Sequence, residues 1–330
     1  MIKRAIMTTI NGKATIAGRS VPAMAIGTWS WGDKKWGYKE EDYAKVVTAW
    51  KACNSVGLTF YDTAEIYGEG ESERIIGRLL REETDEETRK KIYIATKYLP
   101  YPRPANWFFF APGVIAACRK SLARLGVDQI DLYQIHSSNG PFSIESTGKQ
   151  LAKCVQLGLV KAVGVSNFNL SEMKRMSDTL EKEGVKLSSN QVEYSLLRRL
   201  PETSGLLKEC KERGIALLAY SPLAMGRLTG KYSRDNPIPS NRKFSSQFTW
   251  DQIEPLLAEM KILGDKYGVS ISAIALNWVI AKGAIPLGGA RNSQQAEENA
   301  KATTFMLDEE EVAKLDSLGQ IGKLDHWQHA

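Results

Sequence analysis

No apolar run in this chain of 330 residues approaches the ~18 residues that a membrane-spanning helix needs, so no membrane partner is expected. The longest aromatic cluster, Trp107 to Phe110, is short and lies among prolines. Basic blocks are also missing. Lys and Arg total 44 against 38 Asp and Glu, and the net charge of +6 is spread in mixed sign along the chain. Nucleic-acid binding is therefore not expected, while a local basic site for an anionic small molecule remains open. Cysteine is scarce, with four residues and no C-x-x-C pair. Cys53, Cys118, Cys154 and Cys210 read as reduced core thiols of a reducing compartment, and no metal is expected. No apolar stretch follows Met1-Ile2-Lys3-Arg4, so a cytoplasmic location is expected, or a plastid one if a transit peptide has been removed.

What is present is an alternation of short apolar strands and longer amphipathic helices. Met7 to Val21 carries Asn11-Gly12 between Thr- and Ile-rich runs and reads as a hairpin with that pair at its turn. Eight strand candidates follow: Ala23 to Gly27, Thr59 to Asp62, Ile92 to Thr96, Leu132 to His136, Ala162 to Ser166, Ser189 to Glu193, Ala216 to Tyr220 and Ile285 to Leu287. Helical periodicity lies between them, as in Val114, Ile115, Cys118, Leu122 and Leu125, or Ile253, Leu256, Leu257, Met260 and Leu263. Gly126, Gly158, Gly184 and Gly214 stand where helices should stop.

Eight β-then-α units without a Pro/Ser-rich linker imply parallel strands and right-handed crossovers. The economical closure is an α/β fold of the (β/α)8 TIM-barrel kind, with an N-terminal β-hairpin and extra C-terminal helices, spanning residues 1–330 as one domain. A doubly wound sheet is the runner-up. It lacks a G-x-G-x-x-G after its first strand, and Gly68-Glu69-Gly70-Glu71 would repel a pyrophosphate. Two insertions, Tyr98 to Pro112 and Leu223 to Trp250, fall after the third and seventh strands, at the barrel face where active sites are built. Glu309 to Leu318 and the tail to Ala330 read as packing elements beyond the barrel.

Polar residues converge on the carboxyl ends of those strands: Asp62 with Tyr67 five residues on, Lys97, His136, Ser166 and Asn167, Gln191, and Tyr220-Ser221. Any one of them alone fits a structural ion pair or a hydrogen-bonded core side chain; six strand ends together do not. A free tyrosine ionises near 10, and bringing it toward 7 needs ~3 units, or ~4 kcal/mol of preference for phenolate. A nearby ammonium supplies much of that, provided a carboxylate keeps it charged. A histidine can orient a carbonyl oxygen. Asp62, Tyr67, Lys97 and His136 thus form a set for adding a proton to an oxygen while something else arrives at carbon.

Here a specific resemblance appears. Phe60-Tyr-Asp-Thr-Ala-Glu-Ile-Tyr-Gly68, Leu132-Tyr-Gln-Ile-His136, Gly164-Val-Ser-Asn-Phe168, Ser189-Asn-Gln-Val192 and Ala219-Tyr-Ser-Pro-Leu223 resemble, in order, the motifs of the aldo-keto reductase family. The match runs from about Val21 to Leu318. It implies NADPH-dependent reduction of aldehydes and some ketones on a barrel without a Rossmann domain. Tyr67 is then the general acid, Asp62 and Lys97 its tuning pair, and His136 the carbonyl orienter.

The same resemblance assigns the cofactor positions. Ser166, Asn167 and Gln191 match residues that hold the nicotinamide carboxamide, and Tyr220 matches the ring that stacks on it. Ser221, Leu223, Gly226 and Leu228 lie in the stretch that wraps the pyrophosphate. Gly289, Arg291, Gln295, Glu298 and Asn299 match the adenosine end, with Arg291 and Gln295 toward the 2′-phosphate and Glu298 and Asn299 toward adenine. Asn292 stands where the family often has Lys or Arg. A helix start beside a guanidinium suits a phosphate.

Ser221 to Lys231 resembles the long-loop branch that includes potassium-channel β subunits and reductases of plants and microbes, some acting on pyridoxal. A β-subunit-like binding protein and a pyridoxal-specific reductase are the alternatives. A barrel aldolase with Lys97 as Schiff-base nucleophile is a third class, opposed by Asp62 and by the 288–299 segment. Trp29, Trp31, Tyr98, Trp107 and Phe108 are candidate walls for a small-molecule carbonyl substrate, and a monomer is expected.

Overall fold

A computed structural model describes residues 12–101, 113–239 and 248–323. Trp107 and Phe108 lie outside the described residues. The strands are β1 (Lys13–Ile16), β2 (Arg19–Pro22), β3 (Ala25–Gly27), β4 (Phe60–Asp62), β5 (Tyr93–Tyr98), β6 (Ile130–Ile135), β7 (Val160–Ser166), β8 (Leu187–Glu193), β9 (Ala216–Tyr220) and β10 (Ile285–Gly289). The helices are α1 (Tyr43–Ser55), α2 (Glu71–Glu82), α3 (Glu86–Lys91), α4 (Val114–Leu125), α5 (Ile144–Gln156), α6 (Leu170–Lys182), α7 (Leu200–Thr203), α8 (Leu206–Arg213), α9 (Trp250–Tyr267), α10 (Ile271–Ala281), α11 (Ser293–Lys301) and α12 (Glu309–Leu318).

β3 to β10 close into a parallel barrel in chain order, β10 pairing with both β9 and β3. Closure excludes the doubly wound sheet. Each barrel strand overlaps its expected segment, though β5 and β10 run two residues past its end and β6, β7 and β8 begin two residues before it; Ala216–Tyr220 and Glu309–Leu318 coincide with their segments end for end. Helix ends follow their local chemistry. Asn169 with Glu172 and Asp308 with Glu311 make capping boxes that start α6 and α12. Gly126 and Gly214 end α4 and α8 in the left-handed conformation, which has no steric cost for glycine.

The hairpin is present, but its turn is elsewhere. β1 and β2 pair antiparallel around Ala17-Gly18, both left-handed at φ 50° and 81°. Asn11 lies outside the described residues, and the Gly12 carbonyl accepts from the Ala23 N–H at 2.8 Å. Burial selects this register: Ala14, Ile16 and Val21 join Phe60, Tyr93, Leu132, Leu218 and Ile285 in one apolar cluster. The hairpin therefore plugs the amino-terminal end of the barrel. Arg19 fastens it through Asp131 at 2.5 Å and the Ile92 carbonyl at 3.0 Å.

Above that plug the interior turns polar. Along β5, Tyr93 and Ala95 belong to the inner cluster while Ile94 and Tyr98 belong to the shell between strands and helices. The period of two puts Lys97 inward. All four cysteines are buried thiols. Gln320 and Ile321 accept from the Arg199 N–H, so the chain after α12 packs beside the start of α7. Among the described residues no helix is long and apolar enough to cross a membrane.

Candidate active site

Strand ends bring the expected polar residues together. Asp62 ends β4, and its Oδ1 lies 2.5 Å from Lys97 Nζ on β5. Lys97 also donates to the Thr63 carbonyl at 2.7 Å and reaches the Tyr67 hydroxyl at 3.5 Å. The second Asp62 oxygen accepts from Gln191 Nε2 at 2.8 Å and faces Gln134 Nε2 at 3.5 Å. Ser189 in turn donates to Gln134 Oε1 at 3.2 Å. Gly164 makes room for that pair, since a Cβ there would stand 2.1 Å from Ser189 Oγ. Asp62, Lys97, Gln134, Ser189 and Gln191 are all at most 2% exposed, so this is a dry polar layer with its charges paired.

Tyr67 is half-buried at the rim of that layer, in the 3-10 turn Tyr67–Gly70. His136 meets its ring edge-on at 5.9 Å, and Trp29 stacks on it at 5.6 Å. Burial raises the Tyr67 pKa above its ordinary value of 10.0; Lys97 pulls it down, and Asp62 pushes it back up. The expected lowering toward 7 is thus not what the protein does by itself. Asp62, 2.5 Å from the ammonium, opposes its pull, and burial is the largest single influence. The same carboxylate keeps Lys97 charged: burial opposes the ammonium, but Asp62 and Tyr67 outweigh it and raise its pKa. Tyr67 is accordingly a protonated hydroxyl beside a charged donor, positioned to give a proton away.

The positions matched to the nicotinamide end fall into two depths. Ser166 and Gln191 lie beneath the mouth, with Ser166 Oγ donating to the Gln191 carbonyl at 2.9 Å. Asn167 and Tyr220 form the rim: the Tyr220 hydroxyl donates to Asn167 Oδ1 at 2.9 Å, and Asn167 Nδ2 donates to the His136 carbonyl at 3.2 Å. Asn167 holds φ 58°, a left-handed backbone that aims its amide across the mouth. After β9 the chain is strained again, with Ser221, Ala224 and Met225 left-handed beside Gly226. Leu228 is fully buried and anchors this loop, so it offers a ligand only its backbone.

At the adenosine-matched end, Asn292 caps α11 by accepting from the Gln295 N–H at 2.9 Å. Gln295 Oε1 accepts from the Arg291 N–H at 2.9 Å, and buried Asn299 donates to the Gly289 carbonyl at 3.1 Å. Glu298 pairs with Lys301 at 2.6 Å, which holds its carboxyl below the usual range. The Arg291 side chain is exposed. It borders a cleft of about 420 Å³ that also carries Trp36, Tyr38 and Lys45, between the segment after β3, α1 and the start of α11.

Two of the expected substrate walls are elsewhere. Trp31 is fully buried in the shell outside the strands, its Nε1 donating to the Ala290 carbonyl at 2.9 Å. Tyr98 is fully buried in the same shell, because it follows inward-facing Lys97 on β5. Trp29 does border the site, 36% exposed and fixed by Asp33 Oδ2 at 2.8 Å. Trp36, which sequence reasoning passed over, meets it edge-on at 5.4 Å. Gln134 was also missed, although its period-two spacing from His136 on one strand marked it as inward. Among the described residues no three His, Cys, Asp or Glu side chains converge as metal ligands.

Comparison with known proteins shows the family and the fold. Residues 23–320 match the model of the aldo/keto reductase family. The chloroplastic pyridoxal reductase of Arabidopsis thaliana is 33% identical over 313 residues, covering 92% of this chain and 85% of that protein. A glycerol dehydrogenase from Gluconobacter oxydans superimposes with a TM-score of 0.82 at 28% identity, covering 96% of this chain and 99% of its own. An aldo/keto reductase from Klebsiella pneumoniae, solved with NADP and acetate, gives 0.71 at 26% identity, covering 94% and 96%.

Proposed function

The chain belongs to the aldo/keto reductase family, and from that premise we propose that it is an NADPH-dependent reductase of small aldehydes and some ketones. The observation that carries the reading is the line from Asp62 through Lys97 to Tyr67, with His136 beside the hydroxyl. Tyr67 gives its proton to the carbonyl oxygen as the carbon is reduced. Lys97 stabilises the phenolate left behind, and Asp62 keeps Lys97 charged. His136 orients the carbonyl oxygen toward Tyr67.

NADPH supplies the hydride when bound. Its nicotinamide end would be held by Ser166, Asn167 and Gln191 with Tyr220 against the ring, and its pyrophosphate by Ser221, Leu223, Gly226 and the Leu228 backbone. Gly289, Arg291, Gln295, Glu298 and Asn299 would hold the adenosine end. The strained 221–226 backbone supports this fit, since left-handed residues among right-handed ones turn successive N–H groups toward one side, where an anion can sit. The substrate proposed is a compact, planar or aromatic aldehyde. Trp29, backed by Trp36, offers the flat face beside Tyr67. Pyridoxal is one candidate, in keeping with the activity named for the Arabidopsis relative.

The deciding experiment follows NADPH absorbance across matched aldehydes and ketones, aromatic and aliphatic. Turnover is expected to be highest with aromatic aldehydes. No turnover of any carbonyl by protein that binds NADPH would overturn the reading.

A further inference from the structure

The loop after β9 contains a cation that the site described so far does not use. Arg227 lies in the 3-10 stretch Ala224–Thr229 and is 6% exposed. Its Nε is buried with no hydrogen-bond partner, and among the described residues no carboxylate pairs with its guanidinium. Burial alone acts on its ionisation, and lowers the pKa. The other buried cations are arranged differently. Lys97 has Asp62 at 2.5 Å and Arg198 has Glu193 at 3.3 Å, and half-buried Arg124 has Glu73 at 2.5 Å. A guanidinium cannot shed its proton to relieve burial, so an anion must compensate it. The backbone around it is shaped for the same charge, with Ser221, Ala224, Met225, Gly226 and Gly230 left-handed within ten residues.

We propose that Arg227 is a phosphate-binding residue of this loop, its counter-charge arriving with the ligand. The inference rests on the reductase reading, in which the loop borders a phosphorylated ligand. The guanidinium fork matches two oxygens of one phosphate group. Two carriers have that chemistry: the pyrophosphate of the dinucleotide and the phosphate of a phosphorylated aldehyde. The pyrophosphate is favoured because the strained backbone and Arg227 lie between Tyr220 and the 289–299 segment in the assigned order of the cofactor. An Arg227 that serves it does not distinguish NADPH from NADH, since both carry it.

The test uses Arg227→Met, which keeps length and removes charge, and Arg227→Lys, which keeps charge and removes the fork. Dissociation constants of NADPH and NADH are read by fluorescence, and KM for glyceraldehyde 3-phosphate and for glyceraldehyde by NADPH absorbance. Arg227→Met should weaken both dinucleotides alike by about ten- to hundredfold, the range for a hydrogen bond to a charged group. Arg227→Lys should fall between Met and wild type. The ligand-free Met variant should melt no lower than wild type, because an uncompensated buried charge has gone. Unchanged dinucleotide binding with a raised KM for the phosphorylated aldehyde alone would assign the phosphate to the substrate. If both dinucleotide constants and both KM values stay within about twofold, or only the melting temperature falls, Arg227 is structural and the proposal fails. Should Arg227→Met not fold, Arg227→Lys carries the same readouts. Wild-type protein that binds neither dinucleotide would overturn the reductase reading instead.

Discussion

Lys97 Nζ sits 2.5 Å from Asp62 Oδ1, both side chains at most 2% exposed, and the pair stands as one charged unit directly beneath the Tyr67 hydroxyl. Breaking such a buried pair from one side leaves a lone charge out of water. Asp62→Asn or Lys97→Met should each cost about 3–5 kcal/mol, read from urea unfolding. The double variant should recover much of that loss while staying inactive. Additive losses in the double variant would mean the two charges are not a stability unit.

Tyr67→Phe keeps the ring that packs against Trp29 and His136 and removes the transferable proton. It should lower kcat by at least about 100-fold, the low end for a general acid. NADPH binding, followed by fluorescence, should hardly move. Wild-type-like turnover would remove Tyr67 from the mechanism.

The pH dependence follows from the raised Tyr67 pKa, with burial as its first cause. A general acid works in its protonated form, so its contribution is complete below its pKa and is lost as pH rises through it. For the free enzyme that loss should be centred above the ordinary tyrosine value of 10.0. The kcat/KM for aldehyde reduction should therefore show no Tyr67 limb near neutrality. A descending limb centred near pH 7 that disappears in Tyr67→Phe would show that Lys97 dominates after all.

Arg291 lies exposed at the start of α11, where the proposed 2′-phosphate is the only group that separates NADPH from NADH. Arg291→Ala should weaken NADPH by about ten- to hundredfold and leave NADH nearly unchanged. Equal losses for both cofactors would give Arg291 a structural role.

The two neighbouring tryptophans should separate cleanly. Trp29→Ala removes the face stacked on Tyr67 and should flatten the preference for aromatic over aliphatic aldehydes, where a good aromatic pair contributes ~0.5–1.5 kcal/mol. Trp31→Ala should leave that preference intact and instead destabilise the fold by ~3–5 kcal/mol, because the ring fills the shell between strands and helices. The reverse pattern would place the substrate on the other side of this loop.

Tyr98 was within reach of sequence reasoning. On a strand, neighbours face opposite sides, so placing Lys97 inside the barrel already sends Tyr98 outward. Trp29 and Trp31 were not within reach, since the irregular segment after β3 has no period from which to read direction. The hairpin turn falls between these cases. Asn11-Gly12 carries the stronger local preference, yet Ala17-Gly18 makes the turn, because only that register delivers Ala14, Ile16 and Val21 to the barrel floor.

The amino-acid sequence by itself determined the alternation of strands and helices, the closed barrel they build, and the strand ends at which Asp62, Lys97 and His136 must appear. Hydrophobic periodicity and turn chemistry are local, and short crossovers leave the topology little choice. Only the tertiary structure decided how those side chains act on one another. Asp62 holds Lys97 closely enough to blunt its pull on Tyr67, Gln134 and Ser189 complete a dry polar layer in the space Gly164 leaves, and buried Arg227 meets no counter-charge among the described residues. Each of these depends on distance and burial between residues far apart in the chain, and electrostatics in a low-dielectric interior changes steeply over one or two ångströms.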